Sequence, residues 1–206
     1  MKNFIRNTVN GILAGIMISI GCSVYLACEN KVAGAILFSV ALLTICYQGY
    51  SLYTGKIGFI VNSHTKKDFE VLLTGVLGNV IAMTLCGLAL GAAVPVLSAN
   101  AAVSVAAKLA QPLWSALIRA VFCGVLMYIA VLLFKEKGTT LGIFFCVPVF
   151  ILAGFEHSIA NMGYFAIAGE ISFEAFIYIW VVILGNTVGG MLFPLLKLLC
   201  KENENG

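Results

Sequence analysis

A carboxylate, an imidazole, a hydroxyl and an amide stand close together in Gly154-Phe155-Glu156-His157-Ser158-Ile159-Ala160-Asn161-Met162, inside an apolar stretch of membrane length. Ionisable groups are costly at such depth, about 2.5–3.5 kcal/mol for an unpaired charge on insertion scales, so those present are usually kept for function. The histidine is the group suited to taking up and handing on a proton near neutral pH. Glu156 reads as structural, capping backbone N–H groups freed where the helix is interrupted. A second interruption, Tyr50-Ser51-Leu52-Tyr53-Thr54-Gly55-Lys56-Ile57-Gly58, sets glycines, a hydroxyl and a lysine into another apolar run. Catalytic readings fail on spacing. Ser158 directly follows His157, which does not present nucleophile and base to one substrate, and Glu156 precedes His157 where a membrane zinc protease needs HExxH. No catalytic residue, metal site or cofactor is expected.

The elements that must position these groups follow from composition. Hydrophobic residues make up 61% of the 206, charged residues only 10%, and mean hydropathy is +1.04, the profile of a polytopic helical membrane protein. Polar breaks divide the chain into six expected spans, about 9–28, 33–61, 70–94, 113–134, 140–166 and 174–197. The first follows Lys2 and Arg6, but Glu29-Asn30-Lys31 lacks a cleavage pattern, so it reads as a retained helix. Period-two alternation is absent, which argues against transmembrane strands. With the N-terminus inside, Lys2, Arg6, Lys66, Lys67, Lys135, Lys137, Lys197 and Lys201 fall on the cytoplasmic side, leaving Lys31 and Lys108 outside. Both termini are therefore expected in the cytoplasm. This bias accounts for most of the net charge of +3 and gives no reason to invoke nucleic acid. Seven cysteines without CxxC or metal-ligand spacing read as small buried packing residues. They fit a bacterial cytoplasmic (inner) membrane. His64, beside Lys66 and Lys67, reads as solvated.

The two interruptions are placed alike. Each lies in the middle span of a three-span half, and the third span of each half carries Gly-Asn, as Gly78-Asn79 and Gly185-Asn186. An odd number of spans per half makes an inverted three-plus-three repeat, and paired broken helices point to a transport site at its centre. The expected organisation is one transmembrane domain, 1–206, with halves 1–97 and 113–200 and an outer connection 98–112. Irregular backbone at membrane depth is tolerated only where it is buried in protein or lines a cavity, so both breaks should face one polar interior.

The stretch Gly154 to Met162 resembles the signature of the formate/nitrite transporter family, and Leu52-Tyr53-Thr54-Gly55 is similar to that family's broken second helix. Gly185-Asn186-Thr187-Val188-Gly189-Gly190 resembles its last helix, and Ala14-Gly15 with Ile20-Gly21 is compatible with its first. The resemblance covers nearly the whole chain. It implies an aquaporin-like six-helix protomer, assembled as a homopentamer in the lipid bilayer with one pore per protomer. It also implies a channel or transporter for small monovalent anions or their conjugate acids, of the formate, nitrite and hydrosulfide class. By the same resemblance His157 is the central pore histidine, Thr54 the opposing hydroxyl and Asn161 a polar position one turn beyond. Phe150, Leu52 and Tyr53 match the apolar constrictions. Lys108 matches a lysine that draws anions into the outer vestibule. Glu156 matches an acidic brace of the fifth helix, with Asn79 and Asn186 as further structural positions. The chain departs from the family at Cys123-Gly124, where many relatives carry Cys-Asn, and at Tyr53, where phenylalanine is frequent.

The chemistry also stands on general grounds. Low dielectric raises the pKa of an acid and lowers that of a histidine, so a proton is pushed from imidazolium towards an anion stripped of its water. A histidine between apolar gates, bonded to Thr54 or Asn161, can thus support proton-linked passage. The alternatives are a non-conducting sensor or scaffold on the same fold, and a neutral-solute facilitator. The latter would carry paired Asn-Pro-Ala boxes, whereas Met162 follows Asn161 and Val80 follows Asn79.

Overall fold

The computed structural model describes residues 2–204, with side chains to residue 200, so the side chain of Lys201 lies outside the described residues. Among the described residues all regular structure is helical: α1 (Lys2–Ala27), α2 (Lys31–Gln48), α3 (Tyr53–Lys56) running into a 3-10 segment (Ile57–Val61), α4 (Lys66–Ala93), α5 (Pro95–Leu109), α6 (Leu113–Lys137), α7 (Leu141–Leu152), α8 (Ser158–Ala168) and α9 (Phe173–Glu204). Five of these, α1, α2, α4, α6 and α9, are long and apolar enough to cross a membrane. At 1.5 Å per residue the 28 residues of α4 span about 42 Å. The protein is a multi-pass membrane protein.

The chain is broken between α2 and α3 and between α7 and α8, and the breaks share one backbone plan. α2 ends at Gly49 (φ 70°) and α7 just before Gly154 (φ 70°), left-handed positions that glycine adopts without a Cβ penalty. Tyr50 N–H then reaches back to the Ile45 carbonyl (3.0 Å) and Phe155 N–H to the Phe150 carbonyl (2.9 Å), closing the same C-terminal turn. Three residues follow without helical structure, Tyr50–Leu52 or Phe155–His157, and a new half-helix starts at Tyr53 or Ser158. The second break is shorter than the sequence indicates: only residues 153–157 leave the helix, and Ser158 and Asn161 sit on α8.

Packing interlocks the helices. α1 lies along α4 and α6 along α9, at small residues that let backbones meet. A Cβ at Gly78 would overlap the Thr8 carbonyl, and one at Gly189 the Val121 carbonyl. Half-helix α8 packs on α4 and α1, while α3 and its 3-10 continuation pack on α6 and α9. The connection 98–112 is helical over most of its length. It forms α5, which begins at Pro95, buries Leu97, Ala101 and Val105, and packs on α8. Gly124 marks another close approach, where a Cβ would overlap the Asn186 carbonyl. The residue replacing asparagine there therefore serves helix contact. Of the cysteines only Cys22 and Cys123 are fully buried; Cys28, Cys46, Cys86 and Cys146 are half-buried and Cys200 is exposed, so tight packing describes two of the seven. His64 is exposed, as expected.

Candidate functional site

Each break leaves backbone groups without helical partners, and one asparagine serves each set. Asn79 on α4 donates to the Gly11 and Ser51 carbonyls (both 2.8 Å) and accepts from Tyr53 N–H at 3.0 Å. Asn186 on α9 donates to the Ala120 and Glu156 carbonyls (both 2.8 Å) and accepts from Ser158 N–H at 2.8 Å. Both amides are fully buried, where an unmet backbone group is expensive.

The helix restarts bring His157 and Thr54 together. His157 Nε2 lies 2.8 Å from Thr54 Oγ1, and both residues are buried. Nδ1 accepts the Ala160 backbone N–H at 3.0 Å, making His157 the N-cap of α8. A backbone N–H can only donate, so Nδ1 carries no proton in this arrangement. The neutral ring therefore keeps its proton on Nε2 and donates it to Thr54 Oγ1. Phe150 stacks on the imidazole, with ring centroids 5.6 Å apart and planes 17° apart.

Glu156 has a different task from the one its position suggests. Its carboxylate touches no freed backbone N–H, because Asn186 and His157 itself meet those at Ser158 and Ala160. It accepts instead from Lys108 Nζ (2.5 Å), Asn161 Nδ2 (2.8 Å) and Gln111 Nε2 (3.0 Å). The Gln111 amide also donates to the Tyr178 hydroxyl at 2.6 Å. Lys108, drawn from α5, is mostly buried with its charge matched by Glu156. Asn161 is likewise spent on Glu156 and not on His157.

A cavity of about 300 Å³ opens over this cluster and reaches His157 and Phe150; Lys108, Arg119 and Asn161 also line it. A second cavity, of about 150 Å³, is lined by Leu52, Lys56 and Lys135 among others. The sequence-selected residues thus separate. His157 contacts both Thr54 and Phe150, Leu52 lines the second cavity, and Tyr53 lines neither. The Tyr53 hydroxyl turns to α9, 2.6 Å from Thr187 Oγ1, which gives the extra hydroxyl a partner. Sequence reasoning passed over Gln111, Arg119 and Lys56 as site residues. For the two cations the signal was present, a charge inside an apolar run; for Gln111 there was none.

The arrangement defines a helical membrane protein in which two half-helices meet at a buried histidine–threonine pair, with one cavity lined by His157 and another by Leu52 and Gly55, the neighbours of Thr54. Comparison with known proteins narrows this. Residues 1–199 match the family described as formate/nitrite transporter. The nitrite transporter NirC of Salmonella typhimurium is 28% identical over 179 residues, 76% of this chain, and the chain spans 65% of that protein's length. A pentameric formate channel with formate bound superposes with a TM-score of 0.77 at 22% identity, covering 98% of both chains. A structure described as an FNT family ion channel gives 0.74 at 22% identity, over 92% of this chain and 86% of the other. The chain belongs to the formate/nitrite transporter family, whose members are channels and transporters and not enzymes.

Proposed function

We propose that this protein conducts small monovalent anions, or their conjugate acids, across a bacterial inner membrane, with passage linked to a proton at His157. The observation that carries the reading is the His157–Thr54 contact of 2.8 Å, which joins the two helix restarts, beside one cavity lined by Phe150 and His157 and another lined by Leu52. An anion leaving the 300 Å³ cavity exchanges water for this buried pair. Moving it onward as a charge is costly, and moving it as a neutral acid is not. The resting imidazole holds one proton, on Nε2, and its Nδ1 lone pair is taken by Ala160 N–H. The neutralising proton then comes from water in the cavity in one concerted shift: Thr54 Oγ1 passes its proton to the anion and takes the Nε2 proton, and water restores the proton at Nε2. With Nε2–H directed at Thr54 Oγ1, the threonine hydroxyl proton is free to meet the anion. Phe150 and Leu52 exclude bulk water, and Asn161 and Glu156 hold the polar wall.

Further expectations belong to the same reading. The matching asparagine bridges and glycine turns support an inverted three-plus-three repeat. The lysine distribution supports cytoplasmic termini, so that the Lys108 cavity opens outward and the Lys56 cavity inward. Likeness to a pentameric relative supports a homopentamer with a pore in each protomer.

The test is a proteoliposome flux panel with formate, nitrite, hydrosulfide, acetate and lactate at two pH values. Uptake of the three smallest is expected, faster on the acidic side, and His157→Phe should abolish the acid stimulation while leaving the oligomer assembled. Unchanged pH dependence in that variant overturns proton linkage. Absence of flux for every anion overturns conduction and favours a scaffold.

A further inference from the structure

The break in the second helix carries a lysine of its own. Lys56 Nζ donates to Ser51 Oγ at 3.0 Å. Ser51 stands in this break where Glu156 stands in the other. Each directly precedes the helix cap, Leu52 or His157, and each offers its backbone carbonyl to the bridging asparagine at 2.8 Å. Lys56 and Lys108 therefore occupy related places, with one chemical difference. Lys108 meets a carboxylate, while Lys56 meets a hydroxyl, which cancels no charge.

Lys56 has company. Together with Lys135 and Leu52 it lines the 150 Å³ cavity, and both lysines also line an adjoining cavity of about 400 Å³ together with Lys67. Among the described residues no carboxylate lies within 4.0 Å of any of the three lysines. The larger cavity also carries Asp68, whose bonds to Ser63 Oγ (2.8 Å), Thr65 N–H (3.0 Å) and Thr65 Oγ1 (2.6 Å) leave its negative charge in place, so of the two only the 150 Å³ cavity has charged groups of one sign in its lining. Two of the ammonium groups are also held in place. Lys56 rests on Ser51, and Lys135 sits 3.8 Å from the centroid of the Phe59 ring. A concave surface with low-dielectric walls and one sign of charge concentrates counter-ions.

We propose that Lys56 and Lys135 form an anion-binding site at the Leu52 mouth, which collects the small monovalent anion and presents it to the pore from that side. The inference rests on the anion-conducting reading above. It assigns Lys56, a residue inside the broken helix, a role separate from proton linkage at His157.

The test measures formate flux against formate concentration in sealed vesicles of known orientation, with formate presented at either mouth. For the Lys56 mouth, Lys56→Met and Lys135→Met should each raise the half-saturating concentration, about tenfold for the pair. Lys56→Arg should restore most of the affinity. Raising inert salt should weaken half-saturation in the wild type more than in the double variant, since the lost field is the screened one. Lys135 is exposed, so its variant remains informative if Lys56→Met fails to assemble. Half-saturation unchanged in both single variants, or changed equally from both mouths, overturns the site while leaving conduction intact. Wild-type protein with no formate flux overturns the underlying reading, and this inference falls with it.

Discussion

Glu156 is buried with only 3% of its side chain exposed, and Lys108 with 16%, so removing either leaves the other with no charged partner and only the cavity beside it for solvation. Losing one partner of a buried pair leaves an uncompensated charge and costs about 3–5 kcal/mol, whereas replacing both is often close to neutral. Glu156→Gln and Lys108→Met should therefore each lower stability by about 3 kcal/mol, and the double variant should recover much of that loss. Thermal unfolding of detergent-solubilised protein checks the cycle; additive losses would mean that the two side chains act independently. Sequence reasoning found both residues but could not pair them. They stand 48 positions apart, and nothing in their spacing says that α5 folds over the fifth-helix break. His157 was more legible because its chemistry is unusual at membrane depth. Its ring orientation was not, since that depends on the Ala160 N–H, a consequence of where the helix restarts.

At the level of elements, the broken helices stand because Asn79 and Asn186 replace the missing backbone bonds. Each satisfies two carbonyls and one N–H. Alanine at either position leaves the break carbonyl and the N–H of the helix restart unpaired, while the third group, the mid-helix Gly11 or Ala120 carbonyl, keeps its helical partner. At about 1–3 kcal/mol per group, partly recovered by water, each substitution should destabilise by about 3 kcal/mol or more. Aspartate keeps the acceptor and loses both donations, so it should not rescue. The measurement is thermal unfolding of Asn79→Ala and Asn186→Ala side by side. A loss below about 0.5 kcal/mol at one position would mean that its break stands without the bridge. The Gly-Asn pairs were visible in sequence as markers in matching spans, but a dipeptide does not reveal that its amide spans three chain segments. The break positions were legible from Gly154 and from Gly55 and Gly58 with the polar residues around them, whereas Gly49, which makes the first turn, was not singled out. Helix α5 was hidden because its alanine-rich stretch, Ala99 to Ala107, reads equally well as a small-residue connection.

At the scale of the whole molecule, every group placed at the proposed pore comes from one chain. His157 and Phe150 come from the fifth-span break, Thr54 and Leu52 from the second, and Lys108 from α5, all joined by contacts within the protomer. The outer surface is different in kind, carrying large apolar side chains such as Trp114, Phe145, Ile171 and Phe173, which suits lipid or neighbouring protomers. If five copies assemble as proposed, assembly surrounds five complete pores and does not build one shared pore. Native mass measurement should then give five subunits, and mixing tests their independence. In pentamers assembled from wild-type and His157→Phe subunits, acid-stimulated formate flux should fall in direct proportion to the variant fraction, so that half variant gives about half the stimulated flux. A shared central pore predicts a far steeper fall. If one variant subunit disabled the whole assembly, random mixing at one half would leave only the all-wild-type fraction, (1/2) to the fifth power, or about 3%. A curve nearer that limit than the straight line would overturn the one-pore-per-protomer reading, even with the pentamer intact.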